Sequence, residues 1–355
     1  MTVLSTNEAY QKTLIKKRII LASLLLITIL MATISICVGS YSTSWSNSLM
    51  SIIGFGDAQE RNIIFTIRAP RILMAVVAGS GLAVVGCIFQ NVLRNPLASS
   101  STLGISQGAS FGASLAIVFF KAGTTASSSS NAITISNPLL VSILSFVFAM
   151  LPAFFVFFLA KTNRLTPETV ILAGIALSAL FQGGITLVQY LGEDVQVASA
   201  VYWTFGDLGR VNYGEIGVSF VICLTCFIYF FFNRWNYNSL LIGDNVAQGL
   251  GTNIKATRII SIVLGTLTAS LITSFIGVVS FIGLLSPHIA RRIIGNDHRY
   301  LVPASSLIGV IILIASDFFA RTIISPIVLP IGAITSFLGA PLFIFLILRK
   351  KTSYA

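Results

Sequence analysis

Long apolar runs separated by short polar seams fill the chain and recur from residue 16 to residue 349. Ten of these runs read as helices, over 16–40, 68–93, 98–120, 136–160, 168–192, 214–233, 255–277, 281–294, 301–321 and 332–349. Most reach the roughly 20 apolar residues that carry an α-helix across a bilayer. The eighth is short, and Leu271 to Leu285 is apolar throughout, so no polar seam marks the break between the seventh and eighth. Alternating apolar and polar residues in short strands, the mark of a membrane β-barrel, do not occur. The pattern predicts an all-α, polytopic membrane protein of about ten transmembrane helices, one domain over 1–355 with an N-terminal tail at 1–15.

Composition sharpens this reading. Charged residues make up 9% of the 355 positions and hydrophobic residues 55%, whereas a soluble domain carries about 25% charged residues. So few charges cannot cover a water-facing surface, so most of the surface faces lipid. The first apolar run follows Lys12, Lys16, Lys17 and Arg18 as a signal peptide would. It exceeds the roughly 7–15 residues of a signal core and reads as a retained helix with a cytoplasmic N-terminus. With that orientation the cytoplasmic seams hold all of the 22 basic residues except Arg61, Arg68, Arg71, Lys121, Arg210 and Arg321. This is the positive-inside bias, and it puts both termini in the cytoplasm. The net charge of +11 then reports topology and attraction to anionic lipid, with no need for nucleic acid.

Several short patterns carry chemistry or packing. Gly104, Gly108 and Gly112 recur every four residues and predict a smooth face for close helix packing, to which Gly79 and Gly86 add on the second helix. Gly104-Ile105-Ser106-Gln107-Gly108 also matches a hydrolase nucleophile elbow, but without the strand-turn-helix setting that motif needs. No phosphate-binding G-x-x-x-x-G-K-[ST] occurs, and two histidines make no metal cage. Cys37, Cys87, Cys223 and Cys226 all lie in apolar runs and read as core residues. Asp317 has Arg321 one turn later, the spacing of a helical ion pair. Few acids lie within the helices, which weighs against an ion-coupled secondary transporter.

Three seams stand out. Gln90 to Ala98 ends the second helix in a polar cluster containing Gln90, Arg94, Asn95 and Pro96. Asp244 to Gly251 reads as a short helix capped near Asp244/Asn245 and stopped by glycine, suited to docking another protein or to serving as a plain connector. Between Gly192 and Tyr213, a short interfacial helix is expected around Trp203, and Thr124–Asn131 is a Ser-rich outer loop.

Taken in order, the motifs resemble the FecCD-type permeases of type II ABC importers for ferric siderophores, haem and cobalamin. The matching stretches are R-x-P-R at Arg68–Arg71, Q-x-x-x-R-N-P-L-A at Gln90–Ala98 and L-G-I-S-x-G-A at Leu103–Ala109. I-L-A-G-I-A-L at Ile171–Leu177, W-x-x-G at Trp203–Gly206 and A-x-x-L-G at Ala247–Gly251 follow. F-I-G-L-x-x-P-H-I-A-R at Phe281–Arg291, D-H-R at Asp297–Arg299 and L-P-I-G-x-x-T-x-x-x-G-A-P at Leu329–Pro341 complete the set.

The resemblance implies a non-catalytic permease subunit of a bacterial cell membrane, forming half of the pathway for an iron(III)-siderophore complex, with haem or cobalamin as alternatives. It implies a second permease subunit, identical or paralogous, two cytoplasmic ATPase subunits and an extracytoplasmic binding protein. No cofactor is bound directly, and ATP is used by the partner subunits. Arg68, Arg71 and Arg321 match the family's outward-facing arginines that dock the binding protein. Asp244, Gln248, Leu250 and Gly251 match its coupling segment, 239–253, which meets the ATPase. Where the family usually has Pro-x-Glu-Leu-Pro-x-Gly before the last helix, this chain has Val328 in place of the glutamate. Asp207 stands where many relatives carry serine.

Overall fold

A computed structural model describes residues 3–38, 50, 57–122, 135–162, 166–324 and 327–348. The Ser-rich stretch 124–131, Pro326 and the basic residues Arg164, Arg349, Lys350 and Lys351 lie outside the described residues.

The long helices follow the apolar runs. They are α1 (Val3–Cys37), α2 (Ala58–Val92), α3 (Ile105–Val118), α4 (Pro138–Lys161), α5 (Pro167–Leu191) and α7 (Tyr213–Phe232). After these come α10 (Ile254–Ile276), α11 (Ile282–Ile294), α12 (His298–Thr322) and α13 (Ile331–Leu348). Seven of the ten are long and apolar enough to cross a bilayer, and α3, α11 and α13 are shorter. The shorter connecting helices are α6 (Asp194–Thr204), α8 (Arg234–Ile242) and α9 (Asp244–Gly249).

Four expectations need correction. The first helix begins at Val3 and not at residue 16. The second helix begins at Ala58, not at Arg68, and its 35 residues span about 52 Å at 1.5 Å per residue, well beyond the roughly 30 Å hydrocarbon core. Pro70 therefore lies within a continuous helix. Lacking an N–H, it cannot bond the carbonyl four residues back, and a π-helical turn at Ile64–Arg68, closed by Ala69 N–H to Ile64 O, precedes it. The third helix begins only at Ile105, because Gly104 adopts a left-handed backbone (φ 80°). Trp203 does end a short helix in the outer segment, but it is buried and so is no interfacial anchor.

α2 is the centre of the fold. In its membrane window 83% of residues are buried, against 11% for α1. It packs against α12, α11, α10 and α7, while α3 packs against α4 and α5. Small residues set these distances. A Cβ on Gly79 would sit 2.7 Å from the carbonyl oxygen of Gly309, and one on Gly309 would strike that of Gly79. The two helices thus touch backbone to backbone. Gly86 meets Gly283 of α11 in the same way, and Gly108 and Gly112 meet the carbonyls of Phe148 and Leu144 on α4. The packing face expected of Gly108 and Gly112 is present, while Gly104 lies just before the helix, against Gly174 and Ser178 of α5.

Candidate functional site

Charged side chains gather at two levels of α2, around Arg71 in its first half and just past its last turn. In the first half, Arg71 donates from Nε to Asp317 Oδ1 at 2.6 Å and from Nη2 to Asp207 Oδ1 at 2.6 Å. Arg321 donates from Nε to the other Asp317 oxygen at 2.9 Å, which is the ion pair its spacing predicts. One buried carboxylate therefore joins two buried arginines, and Asp207, itself part-exposed, shares one of them.

Arg321, together with Arg68, also completes α1. The last carbonyls of a helix have no partner within it and carry the negative end of its dipole. Arg68 Nη1 donates to Ile36 O and Cys37 O at 3.0 and 3.1 Å. Arg321 donates to Val38 O and Ser35 O, both at 3.2 Å, and to Ser35 Oγ at 2.6 Å. Arg68, Arg71 and Arg321 are 5%, 8% and 7% exposed. The three arginines that the resemblance casts as outward-facing thus come together, but their guanidinium groups are engaged inside the chain.

Beside this cluster lies a cavity of about 340 Å³ lined by Arg71, Tyr202, Phe205, Asp207, Arg210 and Val328, among others. The position that departs from the family pattern therefore faces this space with an apolar side chain. Arg210 stands over the Trp203 ring at 5.9 Å, and its burial lowers its pKa against the opposing pull of Asp207.

The polar cluster at the far end of α2 divides its tasks. Buried Gln90 donates to Leu284 O at 3.3 Å and accepts from Arg291, tying α2 to α11. Asn91 donates to Tyr237 O on α8 at 3.1 Å. Asn95 shapes the turn, accepting the Leu97 N–H at 2.8 Å with its side chain, and Pro96 sits exposed within it. Arg94 reaches Asp244 at 2.7 Å.

Asp244 is the first residue of α9 and not its cap, which is Gly243. The helix ends at a residue with φ 84°, Gly251, whose N–H bonds Gln248 O while Thr252 N–H bonds Ala247 O. This pair of bonds is the glycine-dependent helix stop read from the sequence. Gln248, Leu250 and Gly251 are exposed, and Leu250, Val246 and Ile242 present apolar surface together.

Arg258, one of the basic residues of the cytoplasmic seams in the sequence pattern, is buried in α10 and holds Asp244. A basic residue in the second turn of an apolar helix is the only signal that marked it.

Residues 25–349 match the model of the FecCD transport family. The chain belongs to the FecCD transport family. An ABC transporter permease protein assigned in Methanocaldococcus jannaschii is 45% identical to this FecCD chain over 94% of it and 95% of the relative. The hemin transport system permease protein of Yersinia pestis is 32% identical over 95% and 97%. Among solved structures, an inward-facing conformation of an ABC transporter assigned to the metal-chelate type superposes with a TM-score of 0.80 at 29% identity. It covers 93% of this FecCD chain and 99% of its own. The apolar helices and these permease relatives make the FecCD chain a multi-pass membrane protein.

Proposed function

We propose that the chain is the permease subunit of a type II ABC importer and forms half of the pathway for an iron(III)-siderophore complex. The observation that carries this reading is α9, a glycine-stopped surface helix that presents Gln248, Val246 and Leu250 outward at one end of a lipid-facing helix bundle. A short rigid helix with exposed apolar residues suits docking against an ATPase subunit. The Asp244 end of α2 is then cytoplasmic and the Arg71 end extracytoplasmic, as the distribution of basic residues predicts. Two ATPase subunits would consume ATP, a second permease subunit would complete the pathway, and this chain would catalyse nothing.

A binding protein would dock at the Arg71 end. With Arg68, Arg71 and Arg321 held internally, they act there by shaping the rim and by the field of their charge, which steers encounter at long range. Haem is the second reading of the cargo, favoured by the Yersinia pestis relative.

The test is reconstitution in proteoliposomes with ATPase subunits and a binding protein. Uptake of a ferric siderophore should require ATP and survive collapse of the proton gradient. Uptake that stops on that collapse, with ATP maintained, would overturn the reading.

A further inference from the structure

The carboxylate of Asp244 is held from two sides. Arg94 Nη2 donates to Oδ1 at 2.7 Å, and Arg258 Nη2 donates to both oxygens at 3.0 Å. Each arginine is itself anchored. Arg258 is 7% exposed, and its Nε donates to Val92 O at 3.2 Å, in the last turn of α2. Arg94 sits just past that helix in a left-handed backbone (φ 47°), and its Nη2 also reaches Leu240 O of α8 at 3.4 Å. A non-glycine residue in that conformation costs free energy and persists where surrounding contacts hold it. One carboxylate thus joins the start of α9, the end of α2 and the second turn of α10.

We propose that Arg94, Asp244 and Arg258 form a positioning clamp that fixes the coupling helix on α2 and α10. Asp244 is then a positioning residue, and the ATPase surface belongs to Gln248 and Leu250. The clamp rests on the reading of α9 as the ATPase contact and changes what its first residue does. Two cations share one carboxylate. Removing the acid cuts the tether and leaves Arg258 buried without its charge partner, a costly arrangement. Movement of α9 under ATP binding would pass into α2 and α10 through these ion pairs.

The experiment uses the full-length permease in lipid nanodiscs, without partners, and follows amide hydrogen exchange across 244–249. Asp244→Asn and Arg258→Gln should each speed exchange of the α9 amides about tenfold or more, the factor for roughly 1.4 kcal/mol, and Arg94→Gln, which removes a half-exposed partner, about twofold to fivefold. Gln248→Ala should leave it unchanged. Arg94→Gln removes the half-exposed partner and keeps the buried one, so it reports even if the other variants misfold. Unchanged α9 exchange in the folded variants overturns the clamp. In the reconstituted transporter Asp244→Asn and Arg258→Gln should lower ATPase stimulation by about tenfold or more. Stimulation that stays at the wild-type level while α9 is loosened also overturns it. If wild-type permease fails to engage any ATPase subunit, the proposed function falls, and the exchange data still decide the clamp.

Discussion

Two ion clusters along α2, one around Arg71 and one just past its last turn, differ in construction. At the Arg71 end the shared acid, Asp317, is 1% exposed and its arginine partners are under 10%. At the Asp244 end the shared acid is 35% exposed, with one arginine at 40% and the other at 8%. Burial makes the first cluster an all-or-none structure: breaking a buried pair by removing one partner leaves an uncompensated charge in a low-dielectric setting. In the second, only the Arg94–Asp244 pair is open to water and screening, while Arg258 is as buried as the arginines of the first. The first cluster is sealed inside the fold, and the second leaves one of its two pairs within reach of water.

This contrast can be broken in three ways. The largest effect is expected at Asp317. Asp317→Ala should destabilise the protein by about 3–5 kcal/mol, read as a fall in thermal unfolding temperature in detergent. A loss below about 1 kcal/mol would show that the buried cluster is as tolerant as the exposed one. A smaller effect is expected at Asp207, whose side chain is 41% exposed. Asp207→Ser should cost about 1 kcal/mol or less, with Arg71 still held by Asp317. The smallest effect comes from salt alone. Raising ionic strength from about 0.1 M to 1 M shortens the screening length from about 10 Å to 3 Å. Exchange of the α9 amides should quicken slightly while that of the last turn of α1 stays constant. Equal responses at both ends would erase the distinction.

Much of this architecture was legible in the sequence, because a membrane helix must satisfy its backbone internally and clothe itself in apolar residues. That requirement prints each long helix as a run. The seams were harder. The start of α2 at Ala58 was hidden by Asp57, Glu60 and Arg61, polar residues that a window of hydropathy counts against a helix. Gly108 and Gly112 could be read as a packing face, since helical spacing is local, and the partner carbonyls on α4 could not. Asp317 with Arg321 was visible for the same reason, one turn apart. Arg71 to Asp317 and Arg258 to Asp244 join residues of different helices, and nothing in their separation along the chain encodes the meeting. The arginines at the Arg71 end show the limit most clearly. The family resemblance casts them as outward-facing, and only the fold reveals the open carbonyls of α1 that draw them inward.

The contact between Gly79 and Gly309 also sets how far apart α2 and α12 stand. Where two backbones touch there is no side chain to turn aside, so main-chain atoms alone fix the spacing at that level. Any side chain added at either position would have to force the two helices apart, and with them the Asp317 carboxylate that joins Arg71 of α2 to Arg321 of α12.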